Sequence, residues 1–194
     1  MCIRASARVE RAAADAGKVL VVGPSHGFDA PVQAAAQLVA SGRFGAVRMV
    51  TALNFTDFMF RPRRPEELYS ARGGGVVYSQ AAHQIDVVRR LVGQPVSSVR
   101  AVAANWDRSR PSEGAYTALV TFEAGAAASL TYSGYAHYDS DELVGWIAEL
   151  GYDKDPDRYG EARKRLATLS SQDEIEAKLK RTYGVPAVAA DTPA

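Results

Sequence analysis

Residues Tyr116 to Gly134 read YTALVTFEAGAAASLTYSG, two short runs rich in β-branched, aromatic and small residues around Glu123-Ala124-Gly125. Tyr116 to Phe122 and Ala127 to Gly134 are predicted strands, and the residues between them are a hairpin turn. Strands joined by so short a turn pair antiparallel. A third strand, Ser98 to Asn105, precedes them. From Asp141 onward the chain turns charged and helical, with helices expected near Arg158–Leu169 and Asp173–Tyr183.

Upstream of the strands the pattern changes. Arg4 to Ala16 is rich in Ala, Arg and Glu and reads as a helix that stops at Gly17. Val19-Leu20-Val21-Val22, closed by Gly23-Pro24, is a continuous apolar run. Such a run marks a strand buried on both faces, as in a parallel sheet. One helix and one such strand cannot make a sheet alone, so the start of the chain reads as a piece of something larger. Pro31 to Ala40 is a second helix, Val47 to Phe55 a strand, and Arg61-Pro62-Arg63-Arg64-Pro65 a loop fixed by its prolines. The end, residues 185–194, is expected to be a loose tail.

The 194 residues suit one domain, or one domain and a remnant of another. A net charge of +1 gives no overall field to draw the chain to nucleic acid or to a membrane. Cys2 is the only cysteine, which excludes an internal disulfide and a cysteine metal cluster and fits a reducing cytoplasm. No apolar run approaches the roughly 18 residues that a membrane helix needs. A cytoplasmic protein is the expectation.

Gly73-Gly74-Gly75 opens a long helix that runs to about Val92 and stops at Gly93. On it Val77, Ala81, Ile85, Val88 and Val92 share one face, and Ser79, His83, Asp86 and Arg90 the opposite one. Asp86 precedes Arg90 by four residues, the favourable order for an ion pair. It also lies within reach of His83, where a carboxylate favours the protonated imidazole. The glycines suit a sharp turn or a close approach, and the helix start behind them offers free N–H groups to a polar or anionic ligand. The same pattern also describes a surface helix behind a flexible connection.

Arg61, Arg63, Arg64 and Arg72 fall within twelve residues, offset by Glu66 and Glu67. Arginine is suited to bidentate capture of carboxylate or phosphate, and Pro62 and Pro65 stiffen the segment. The alternative is a solvated basic loop. His26 follows the apolar run, where ligands gather at the carboxyl edge of a parallel sheet. His137 sits among Tyr135, Tyr138 and Asp139. The three histidines lack metal-ligand spacing, so no metal is expected, and neither a P-loop nor a G-x-S-x-G elbow is present.

Taken together, these residues resemble a known family. Val21-Val22-Gly23, then Phe28-Asp29-x-Pro31, Ser41-Gly42-Arg43-Phe44-Gly45, Gly73-Gly74-Gly75 with His83 and Asp86, and Leu91-Val92-Gly93 look like the Gfo/Idh/MocA oxidoreductases. The likeness runs from about residue 10 to about residue 135. Within that family Asn54 to Phe58, Arg61 to Leu68 and Ser79-Gln80-Ala81-Ala82-His83-Gln84 look most like phthalate cis-dihydrodiol dehydrogenases.

The resemblance implies an α+β fold: an open, mostly antiparallel sheet with helices packed on one face, after a remnant helix and strand of a Rossmann domain. It divides the chain into 1–23, the Rossmann remnant, 24–184, the substrate and oligomerisation domain, and 185–194, the tail. It implies NAD or NADP, bound mainly by a preceding domain, with Gly74 and Gly75 as the contacts from this chain. It implies an anionic small-molecule substrate and a homo-oligomer formed through the sheet, with no nucleic-acid or membrane partner. His83 carries over as the catalytic histidine of the family's Asp-x-x-x-His motif, whose aspartate position is Ser79 here. Arg61, Arg63, Arg64, Arg72, Ser79 and His26 are the substrate-binding candidates. The expected reaction is oxidation of a cyclic diol or polyol, foremost a carboxylated cis-dihydrodiol, with sugar or inositol second. A non-catalytic module that binds an anion or a protein partner is the alternative.

Overall fold

Four strands form one open sheet in the order β1-β4-β3-β2, where β1 is Met49–Phe55, β2 Val96–Ala104, β3 Ala115–Phe122 and β4 Ala127–Ser133. The hairpin read from the sequence is present: β3 and β4 pair antiparallel, with Tyr116 opposite Tyr132 and Ala118 opposite Leu130. β2 joins β3 antiparallel, Val99 opposite Val120, with a register irregularity between Val96 and Ser98. β1 pairs parallel with β4, from Met49 opposite Ala127 to Phe55 opposite Ser133. The sheet is thus open and mostly antiparallel, as the sequence predicts, with one parallel pair at its edge. The structure is a computed structural model and describes residues 3–148, 151–158 and 160–183. The tail expected at 185–194 lies outside them.

Alternation along β3 and β4 decides which face is buried. Tyr116, Val120 and Phe122 turn inward with Ala128, Leu130 and Tyr132, while Thr117, Leu119 and Ser129 face outward. The inner face packs under α3, Ala82–Val92, through Val88 and Val92, and under Phe58, Met59 and Phe60 just after β1. Tyr116 and Tyr132 stack nearly parallel, ring centroids 5.8 Å apart. Gln84 ties helix to sheet: it accepts from the Tyr116 hydroxyl at 2.6 Å and donates to the Thr131 carbonyl at 3.3 Å. Helices α1 (Ile3–Asp15), α2 (Ala30–Ala40), α4 (Glu161–Leu166) and α5 (Ser171–Tyr183) complete the described α-helices. No described helix is long and apolar enough to cross a membrane.

One expectation fails. Val19 to Val22 forms no strand, and Val19 and Val22 are 91% and 77% exposed. A parallel-type strand needs a neighbour on each side to satisfy its backbone and bury both faces. Among the described residues no strand pairs with it. The apolar run lies outside regular secondary structure, between α1 and a 3₁₀ turn at Ser25–Phe28.

Candidate active site

The central helix begins differently from a simple 3.6-residue pattern. Gly73 and Gly75 both take φ of +86°, a region that costs other residues strain. Val77–Ala81 then form a π-helical turn before α3 starts at Ala82. Such wide turns insert one extra residue and are frequent at functional sites. Here the turn lies just ahead of His83. The apolar face still meets the sheet: Val77, Ala81, Ile85 and Val88 line a cleft of about 350 Å³ with Val120 and Leu130.

The helix start is already filled from within. Glu113, just before β3, accepts the Val77 N–H at 3.1 Å through one carboxylate oxygen and the Ser70 hydroxyl through the other. Its backbone carbonyl accepts the Val76 N–H at 3.2 Å. A methyl group on Gly75 would collide with the Glu113 carboxylate, and one on Gly74 with the Glu67 carbonyl. The small size of both glycines therefore answers to packing inside the chain. Ser79, expected to face substrate, donates instead to the Gly75 carbonyl at 2.6 Å, the backward bond that hydroxyls make within helices.

His83 lies half-buried against His26, ring centroids 4.2 Å apart and planes at 55°. The turn Ser25–Phe28 lies across α3 to make this contact. Gly27 is buried directly on the Asp86–Arg90 ion pair, whose closest atoms are 2.7 Å apart. The Arg90 guanidinium in turn lies 4.7 Å from the Phe28 ring centroid. His26 Nδ1 meets the Asp29 carboxylate at 3.0 Å, so a carboxylate orients the second imidazole. Asp86 favours the protonated His83, as the sequence predicts, while also pairing with Arg90, and it is outweighed. Burial first, and His26 second, hold the His83 pKa below its ordinary 6.5, against the weaker pull of Asp29 and Asp86. His83 Nδ1 is buried without a hydrogen-bond partner. A neutral imidazole at neutral pH can accept a proton from a bound hydroxyl.

Residues 32–148 match the family model described as the GFO/IDH/MocA C-terminal domain. The chain belongs to the Gfo/Idh/MocA family. A 1-carboxy-3-chloro-3,4-dihydroxycyclohexa-1,5-diene dehydrogenase of Comamonas testosteroni is 47% identical over 184 residues, 94% of this chain and 45% of that protein. The chain thus spans less than half the length of this curated relative. A solved structure from Bordetella bronchiseptica RB50, assigned as a dehydrogenase, matches with a TM-score of 0.89 at 42% identity, over 98% of this chain and 50% of that one. The WlbA dehydrogenase of Bordetella pertussis, solved with NADH and UDP-GlcNAcA, matches with a TM-score of 0.55 at 31% identity, over 69% and 42% of the two chains.

Against the Gfo/Idh/MocA motif Asp-x-x-x-His, this member has Ser79 bonded to its own helix. The Asp29 carboxylate meets His26, whose ring lies against His83. The four loop arginines do not converge. Arg61 pairs with Asp57 at 2.6 Å, and Arg64 with Glu66 at 3.2 Å and Glu67 at 3.6 Å. Arg63 lies 3.6 Å from the Phe58 ring centroid and donates to the Phe58 carbonyl at 2.9 Å; burial brings its pKa down to about 10. Arg72 is exposed, 5.6 Å from the Tyr69 ring centroid. Three of the four thus serve local structure, and Asp57 is the neighbour that a count of Glu66 and Glu67 overlooks.

Sequence reading missed two other arginines. Arg110 and Arg163 line a cavity of about 590 Å³ with Phe60, Trp106, Tyr135 and His137. It sits at the sheet end where β1, β4 and β2 finish, and α4 and α5 wall it. Nothing local marks either residue: Arg110 is in a polar loop, and Arg163 is one of three basic residues in α4.

Proposed function

We propose that this chain is the substrate-facing half of an NAD(P)-dependent dehydrogenase that oxidises a ring-borne cis-diol, preferentially a carboxylated one. The observation that carries the reading is the His83–His26–Asp29 contact. Oxidising an alcohol carbon releases a hydroxyl proton, and a half-buried neutral imidazole is suited to receive it. His26, held by Asp29, takes the orienting role that Ser79 cannot fill. The 47% identical Comamonas relative carries a carboxylated ring diol in its name, which supports the substrate class. Glu113 occupies the start of the central helix, which supports a reading in which the nucleotide phosphates are held mainly outside this chain. The outward sheet face, with Thr117, Leu119 and Ser129, supports self-association through the sheet.

The test is a chimera in which residues 1–194 replace the matching half of the Comamonas relative. Turnover of a carboxylated cis-dihydrodiol should exceed that of myo-inositol. His83→Ala should lower turnover by about 10²–10⁴-fold and leave nucleotide affinity intact. Preference for the neutral polyol would overturn the substrate class, and His83→Ala turnover within about twofold of the parent would overturn the site.

A further inference from the structure

Arg110 is 4% exposed, and only one side of its guanidinium is satisfied. Nη1 donates to Glu174 of α5 at 2.8 Å. Nε and Nη2 are buried without a partner. Those two groups form the side-on fork with which a guanidinium grips a carboxylate through two parallel hydrogen bonds. Arg163 of α4 is in a similar state. Its Nη2 donates to the Tyr135 carbonyl, its guanidinium lies 4.6 Å from the Phe60 ring centroid, and its Nε is buried and unpartnered. Buried polar groups are almost always hydrogen-bonded, so two unpaired guanidinium edges at one place call for an acceptor.

Two acidic side chains stand nearby, each engaged through one carboxylate oxygen. Glu174 already serves Arg110 and the Arg63 N–H, the latter at 2.8 Å. The Asp107 carboxylate holds the backbone and hydroxyl of Ser109 at 2.9 Å and 2.7 Å. Both arginines line the same 590 Å³ cavity, which is large enough for a single-ring acid. Rings form part of its wall, Phe60 and Trp106 with Tyr135, the latter two with centroids 5.7 Å apart, beside the carboxylates of Asp107 and Glu174. His137 stands at the same cavity.

We propose that this cavity binds the carboxylate of a ring-bearing acid, with the carboxylate on the Arg110 fork and Arg163 Nε and the ring against Trp106 and Tyr135. The choice of a ring acid over a bare anion rests on the function proposed above; the anion site does not. Two aromatic walls favour a flat hydrocarbon, and two unpaired cationic edges require a negative group beside it.

The 194-residue chain itself serves for the test, by calorimetric titration with benzoate, phthalate, neutral benzamide and inorganic phosphate. Benzoate or phthalate should bind one to one, and benzamide at least about tenfold more weakly. Trp106 emission should change on binding, and Trp106→Phe should remove that signal while the heat persists. Arg110→Met and Arg163→Met should each weaken binding by about tenfold or more. Where Arg110→Met does not fold, the half-buried Arg163 decides. No saturable heat up to about 10 mM benzoate or phthalate, equal affinity for benzamide, or unchanged affinity in Arg163→Met would each overturn the site. Tighter binding of inorganic phosphate than of both acids would overturn the ring-acid assignment. Ring acids that bind here beside a chimera that oxidises only neutral polyols would sink the proposed substrate and leave this site standing.

Discussion

Glu113 accepts the backbone N–H of Val77 across 36 residues of sequence, at 3.1 Å. One carboxylate thereby closes the helix that carries His83 and anchors it to the start of β3. Glu113→Ala should cost about 1–2 kcal/mol in denaturant unfolding, the range for a lost helix cap and its unpaired donors. Glu113→Gln, which keeps an acceptor, should cost less. A Glu113→Ala variant as stable as its parent would mean that water replaces the cap without loss.

Gly75 and Gly125 have nearly the same φ, +86° and +85°, yet differ in surroundings. A Cβ on Gly125 meets open space, and one on Gly75 meets the Glu113 carboxylate. Alanine at 125 should cost about 1 kcal/mol for backbone strain alone. Alanine at 75 should cost about 1–2 kcal/mol more, because the cap must move as well. Equal costs in thermal unfolding would remove the close contact from the account.

The imidazole of His83 should titrate below 6.5 when followed by its ring-proton NMR shifts. His26→Gln should move the midpoint up, since His26 is the second cause of the depression after burial. Asp29→Asn should move it further down. The stability sign follows. A histidine depressed in the folded state binds fewer protons folded than unfolded, so its contribution is present above the unfolded value near 6.5 and lost as pH falls through the folded one. The melting temperature should therefore drop from neutral pH toward pH 5, and drop less in His83→Gln. A midpoint above 6.5 would reverse the proton-accepting role.

Gln84 joins the Tyr116 hydroxyl to the Thr131 carbonyl. Tyr116→Phe removes the donor and leaves the Gln84 oxygen short of a partner, at about 1 kcal/mol. Gln84→Leu should cost similarly, and the double variant less than the sum. Burial, with Tyr132 adding to it, pushes the Tyr116 phenol well above its ordinary value of 10. Its ionisation in an ultraviolet pH titration should therefore coincide with unfolding.

What was legible in the sequence was local. Glu123-Ala124-Gly125 marks the hairpin because a short turn leaves its signature in adjacent residues. The amphipathic face from Val77 to Val92 is equally visible, although the π turn inside it is not, since one inserted residue barely disturbs a spacing of three to four. The parallel pairing of β1 with β4 joins residues 78 apart, such as Thr51 and Ser129, and no local pattern encodes it. Val19 to Val22 looked like a buried strand because composition records apolarity and not neighbours. The arginines divided the same way. Four close together drew notice although Asp57, Glu66 and Glu67 occupy two of them. Arg110 and Arg163 meet only through the fold.

The parallel β1–β4 pair also sets an order of assembly. β1 leaves the ribosome before β4, its hydrogen-bonding partner, which follows about 78 residues later, an interval of roughly 4–16 s at typical rates of synthesis. During that time β1 lacks its sheet neighbour, and the strand's backbone must stay solvated. The hairpin β3–β4, by contrast, closes as soon as both arms exist, because its loop is short. The nascent chain therefore passes through a stage with a finished hairpin and a waiting edge, and that edge is where a chaperone would bind or a second nascent chain would misjoin.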